Sequence, residues 1–345
     1  MKNITPILAV FSTVFFWGSS FPVMSYLLET ASPLVLGAGR FSLAALISLI
    51  WCVYSYKKKI TLKHAIRFLI AGFIGIFLYN VFLNYGQQSV SAGASSFIVN
   101  CNPLFTALIG FFILKQKVTL IHWFGITFCL LGVSIISIDQ EGGLELGSGA
   151  TLILFAATLT AAYFHILKQR VTIIHWAGLI LCLIGVSIIS IDQEGGFTIG
   201  SGATLILFAA ILTATYFHIL KPLVIIYGSL TSFAYTIVFG TLPMVFWFPE
   251  TYNFLLISNN EVKLAFLWLA LFPTALGYLT WTFAVGYYGA NKASLSLYLI
   301  APISLIINYL WYDKEPSLQT IIGGLIIITS LGLTFYMQNR NKILN

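Results

Sequence analysis

Apolar runs follow one another along almost the whole chain, separated by short polar breaks. An α-helix needs about 20 apolar residues to cross a hydrocarbon core. Runs of that length fall at 6–28, 33–54, 66–87, 91–114, 118–138, 147–167, 171–191, 199–220, 223–247, 263–286, 291–312 and 317–337. Each is continuous, whereas a membrane strand would alternate over about ten residues. The pattern therefore predicts an all-α polytopic membrane protein with about 12 transmembrane helices. The longest breaks lie near 55–65 and 248–262, too short for a domain outside the bilayer. The first run follows Lys2 and lacks a small-x-small cleavage site, so it reads as a retained span and not a signal peptide.

Composition narrows the class. Of 345 residues, 59% are hydrophobic and 8% are charged, against about 25% charged in an ordinary soluble domain. This excludes a soluble enzyme, a disordered chain and a nucleic-acid binder, which needs a dense basic face. The charges also sort by side. Of the 17 basic residues, 14 (among them Lys57, Lys58, Lys59, Arg67 and Arg340) fall on the side of the N-terminus. Lys263 and Lys314 fall opposite, and Arg40 lies within a span. The bias predicts cytoplasmic termini in a cell inner membrane. Cys52, Cys101, Cys129 and Cys182 sit inside apolar runs. They form neither a disulfide framework nor metal-ligand spacing, so no metal and no cofactor is expected.

Two repeats organise the chain. Residues 115–167 recur at 168–220, with 41 of 53 positions identical. Each copy reads as one helix–loop–helix hairpin, and an extra hairpin leaves the orientation of later spans unchanged. A fainter repeat appears at a shift of 199: Tyr79 meets Tyr278, Ala94-Ser95 meets Ala293-Ser294, Pro103 meets Pro302, and Gly125 meets Gly324. Without the duplicated 53 residues, each half has five spans. An odd number makes the halves face opposite ways, as in many secondary transporters. The expected division is 1–145 for the first repeat, 146–198 for the extra hairpin and 199–340 for the second repeat. Which hairpin copy is the extra one stays open.

These residues resemble the EamA-type drug/metabolite transporter family. The resemblance is carried by Trp17-Gly18-Ser19-Ser20-Phe21-Pro22, Pro33 with Arg40-Phe41, Ala94-Ser95 with Pro103, Phe272 to Tyr278, Gly289-Ala290 with Ala293-Ser294 and Pro302, and Gly323-Gly324. It implies ten spans in an inverted five-plus-five arrangement and small-solute transport by alternating access. The chain departs from the pattern in its twelve predicted spans. It also has Lys115-Gln116-Lys117 where many members carry a glutamate, while Glu315 is kept in the second half.

Polar residues are costly in hydrocarbon and should face the interior. Helical spacing aligns Asn80, Asn84 and Gln87 on the third span, and Thr274, Tyr278 and Trp281 on the tenth. It aligns Ser294, Tyr298 and Pro302 on the eleventh, and Ser96 with Asn100, near Asn102, on the fourth. Of these, Asn80, Asn84, Asn100, Asn102, Thr274, Tyr278, Trp281 and Tyr298, with Trp17, Arg40 and Tyr79, form a candidate substrate-binding set; the competing reading is hydrogen bonding between packed helices. Pro22, Pro103, Pro273 and Pro302 are candidate helix breaks or hinges, since each removes a donor and frees a carbonyl. Arg40 would bind a carboxylate or phosphate through its fork of donors, or else cap carbonyls within the bundle. No acid lies within a span and no G-x-x-x-x-G-K-[ST] motif is present, so neither a carboxylate proton relay nor an ATP motor is encoded. His122, His165, His175 and His218 read as interfacial, near inner helix ends. The expected partners are a small-molecule solute and the lipid bilayer, with no nucleic acid; oligomeric state is open. The predicted function is secondary transport of an amino acid or other metabolite. The alternative is a membrane scaffold that transports nothing.

Overall fold

The computed structural model describes residues 4–54, 60–89, 92–116, 118–119, 123–128, 202–312, 321–322, 325–330 and 333. Every regular element among them is helical. The helices are α1 (Ile4–Leu28), α2 (Pro33–Tyr54), α3 (Leu62–Gln87), α4 (Ala92–Val99) and α5 (Asn102–Ile113). After residues 123–128 come α6 (Gly202–Tyr227), α7 (Ser229–Ile257), α8 (Asn260–Tyr288), α9 (Ala290–Leu295) and α10 (Ile300–Tyr312). Six of these are long and apolar enough to cross a membrane. Their outward faces carry exposed apolar side chains such as Leu46, Ile50, Ile225 and Leu264, which suits lipid contact.

The predicted spans at 147–167 and 171–191 lie outside the described residues, as do most of those at 118–138 and 317–337. Two expectations are corrected. The break placed at residues 221–222 is absent: α6 runs through Pro222 to Tyr227 and ends at Gly228. Gly228 has φ +83°, a conformation that costs little only for glycine. Lys221 is therefore inside a helix, where its ammonium donates to the Gly286 carbonyl at 2.5 Å. His218 lies more than two turns from the helix end, with a ring nitrogen 2.8 Å from the Thr106 carbonyl. The long loop expected near 248–262 is helical to Ile257. The chain reverses within Ser258 and Asn259, where the Asn259 side chain accepts from the Val262 N–H.

The helices of the first part pack against those of the second in three antiparallel pairs. Against α8, α1 sets Thr13 on Thr280, Trp17 on the Pro273 carbonyl and Ser19 on Trp268, so numbers rise along one helix and fall along the other. Against α6, α3 sets Phe82 on Phe208 and Gly75 on Tyr216. A β-carbon at Gly75 would sit 2.2 Å from the Tyr216 ring, so the close approach requires glycine there. Against α7, α2 shares a core of Ala38, Phe41, Phe233, Ala234 and Ile237. At one end, His64 Nδ1 and the Tyr227 hydroxyl meet at 2.7 Å.

Non-α turns interrupt the helices at matching places. Phe73–Leu78 of α3 and Ala270–Leu276 of α8 are π-helical, and the 199-residue shift carries one almost onto the other. The chain breaks between α4 and α5 at Asn100–Cys101 and passes through a 3-10 turn, Ser296–Leu299, between α9 and α10. Pro103 and Pro302 follow these turns, and Pro273 lies within its π turn. Pro22 is different: α1 continues unbroken through it. The hydroxyls of Ser19 and Ser20 already bond the preceding turn, and Gln87 donates to the Phe21 carbonyl at 2.9 Å. These bonds brace the helix on either side of the Gly18 carbonyl, whose i−4 donor Pro22 removes.

Residues of the first hairpin copy hold a packed place. Val118, Trp123 and Ile126 are buried with Leu104 and Leu108 of α5 and with Leu207 and Ala210 of α6, which belongs to the second copy.

Candidate substrate site

The centre of the bundle is built around Arg40. It stands two turns into α2 and is 3% exposed. Its Nε donates to Thr274 Oγ1 at 2.7 Å, tying α2 to the π turn of α8. Its Nη1 donates to Asn80 Oδ1 at 3.4 Å and to Met24 Sδ at 3.2 Å. The guanidinium carbon lies 5.6 Å from the Phe41 ring centroid, within cation–π range. Tyr79 and Tyr278 are within electrostatic range of the charge, and Tyr278 lies beside the Asn80 side chain. Asn80 also donates to the Ile76 carbonyl at 2.7 Å.

Aromatic rings wall this cluster. The Trp17 ring lies 5.2 Å from Tyr278 and 5.4 Å from Trp281, and its Nε1 donates to the Pro273 carbonyl at 3.0 Å. The Trp281 ring lies tilted 4.4 Å from Phe217 of α6, and its Nε1 finds no partner among the described residues. Phe41 meets the edge of Tyr278 at 5.8 Å. Asn80, Thr274 and Trp281 are fully buried and Tyr278 nearly so, while Trp17 and Tyr79 keep partial exposure.

The structure thus brings together Trp17, Arg40, Tyr79, Asn80, Thr274, Tyr278 and Trp281. It sets the other four candidates apart. Asn84 donates to the Pro33 carbonyl at 3.0 Å and ties α3 to the start of α2. Asn102 donates to the Ala210 carbonyl and accepts from Thr106. Tyr298 is buried with Leu104 and Leu207, in a second core. Asn100, at the break before α5, is 1% exposed, and both of its amide atoms lack a partner among the described residues.

Sequence reasoning missed Met24, Phe41, Tyr216 and Phe217 as neighbours of the cluster. The signal for one of them was present, because the shift pairing Tyr79 with Tyr278 also pairs Trp17 with Tyr216. A surface groove of about 420 Å³ between α2, α7 and α8 was also missed; it is lined by Gly39, Ser42, Tyr252, Lys263 and Phe266, among others. Among the described residues no group of His, Cys, Asp and Glu is placed to hold a metal ion.

Long apolar helices, outward apolar faces and a buried polar core define a multi-pass membrane protein. The EamA-like transporter family model matches residues 4–138 and 200–336, and the chain belongs to that family. An uncharacterized transporter, YdfC, of Bacillus subtilis (strain 168) is 26% identical over 329 residues, spanning 95% of this chain and 90% of its own. A probable terminal-alkyne amino-acid exporter of Streptantibioticus cattleyicolor is 22% identical, covering 96% and 94%. An S-adenosylmethionine/S-adenosylhomocysteine transporter of Chlamydia muridarum is 23% identical over 47% of this chain and 54% of its own. A solved crystal structure superposes with a TM-score of 0.60 at 13% identity, covering 97% of this chain and 98% of that one. The chain is a membrane transporter, and the names of its relatives point away from an enzyme.

Proposed function

We propose that the protein is a secondary transporter that carries a small organic metabolite by alternating access, with the Arg40 cluster as its solute site. The observation that carries this reading is the bond from Arg40 to Thr274. It joins the first matched segment to the second inside a buried core of polar and aromatic side chains. A solute held there must be reached by parting α1–α3 from α6–α8. The antiparallel pairing of these helices and their matching π turns support two oppositely oriented repeats that rock about the site. Such turns recur at functional sites in helices. The matched segments omit residues 139–199, which supports 146–198 as an insertion between the repeats. The lysine and arginine bias supports cytoplasmic termini in an inner membrane. The relatives named for amino-acid and S-adenosyl solutes favour a metabolite of comparable size and polarity.

The test is uptake into liposomes holding the purified protein, screened against a metabolite pool. Wild-type protein should load a subset of solutes. The Thr274→Val/Tyr278→Ala variant should lose that flux while inserting and eluting normally. Wild-type vesicles that load nothing above empty ones would favour the scaffold reading. Full flux in the double variant would move the site elsewhere, for which Asn100→Ala is the next probe.

A further inference from the structure

Arg40 is the one charged side chain buried in the core among the described residues. A guanidinium stays protonated in proteins, so its burial is a buried positive charge. Such a charge is strongly unfavourable unless an opposite charge meets it, and charges at membrane depth usually pair with one another or with what they carry. The acceptors around Arg40 are a hydroxyl, an amide oxygen and a thioether, all neutral. The thioether is the weakest of these acceptor types. No described carboxylate pairs with Arg40: Glu29, Glu250 and Glu261 are exposed. The seven remaining acids lie outside every apolar run of the sequence. Among the described residues, therefore, nothing supplies the counter-charge of this cation.

We infer that the counter-charge is a carboxylate of the transported solute, bound by Arg40. We further infer that the solute needs no amino group. This deepens the proposed function and rests on it. A carboxylate takes two parallel bonds from a guanidinium, and it would displace the weak contacts to Met24 and Asn80. Tyr79 and Tyr278 stand where phenol hydroxyls supply further donors. Trp17, Phe41 and Trp281 offer flat apolar surface to the rest of the molecule. No acidic side chain among the described residues faces the cluster, so a solute ammonium would find only carbonyls and amides and would lie near the Arg40 charge. The site thus selects organic monocarboxylates, of which amino acids are a tolerated subset.

The experiment uses matched trios on the full-length protein in detergent and in liposomes. Each trio is an amino acid, its deaminated acid and its decarboxylated amine, across side chains from methyl to indole. Thermal stabilisation reports binding, and counterflow reports transport. At least one trio should show binding and flux for both acids, with the amine weaker by roughly 30-fold or more. Arg40→Gln should remove the preference for the acid, and Arg40→Lys, which keeps the charge without the fork, should restore it in part. A purely structural arginine would lower stability in both variants and leave the order of preference within each trio as it is in wild-type protein. An amine bound or carried as well as its acid overturns the inference and leaves the transport function standing. A deaminated acid that fails where its amino acid succeeds overturns the second part alone. If no member of any trio binds or moves, while solutes without a carboxylate do in the pool screen, the anion assignment falls. If nothing moves in either experiment, the proposed function falls with it.

Discussion

Replacing Thr274 by valine removes one oxygen and leaves almost the same volume. The side chain is fully buried, and its Oγ1 accepts the 2.7 Å bond from Arg40 Nε. A hydrogen bond between neutral groups on membrane helices averages about 0.6 kcal/mol, whereas one to a charged group contributes about 1.5–3 kcal/mol. The donor here is a buried cation, so the larger figure governs. The loss also leaves the buried Nε–H without its acceptor. Thr274→Val should therefore destabilise the bundle by about 2 kcal/mol. Thr236 provides the control. It is just as buried, on α7, but its hydroxyl has no partner among the described residues. Thr236→Val removes a buried hydroxyl that makes no bond, so it should be neutral or slightly stabilising. Reversible unfolding in mixed detergent micelles, followed by tryptophan fluorescence, measures both variants. Equal effects from the two substitutions would refute the claim that Arg40 is anchored across the bundle through Thr274.

Three further outcomes follow from the packing. Gly75→Leu should destabilise by about 1–3 kcal/mol or more, because the new side chain would occupy the Tyr216 ring; a near-normal unfolding midpoint would show that α3 and α6 are not in close contact. Gly228→Ala meets no atom within 4 Å, so its loss of about 1–3 kcal/mol would come from backbone conformation alone, and an unchanged midpoint would contradict the positive φ. With Cys52, Cys101, Cys129 and Cys182 replaced by serine or alanine, a cysteine at position 29 should react with an impermeant maleimide from outside intact cells, and one at position 63 only after permeabilisation; the reverse labelling would invert the proposed topology.

The helical class and most helix ends were legible because hydrocarbon imposes length and apolarity on every crossing segment. The end of α6 was not. Proline at 222 and the charge on Lys221 both signal a boundary, yet a bundle interior tolerates each. Lys221 reaches a carbonyl of α8, and the helix stops at the residue that can take a positive φ. The π turns were illegible for a related reason: they are read from backbone bonds, and only Pro273 marks one of them in the sequence. For the site, periodicity found which residues face inward but not which inward faces meet. Thr274, Tyr278 and Trp281 share a face and converge with Arg40 and Trp17. Asn84 and Asn102 follow the same periodicity but spend their amides on the carbonyls of Pro33 and Ala210. The meeting of Arg40 with Thr274 is a contact over 234 positions of sequence, which no local pattern encodes.

The joints between α6, α7, α8 and α9 are a single glycine, two residues and a single glycine. Four successive helices stitched so closely have little freedom to slide or splay one by one. In the proposed rocking step they would swing as one lever, carrying Thr274, Tyr278 and Trp281 with them, while Arg40 stays behind on α2. On that proposal, the gap opening between hydroxyl and guanidinium would set the stroke of the machine.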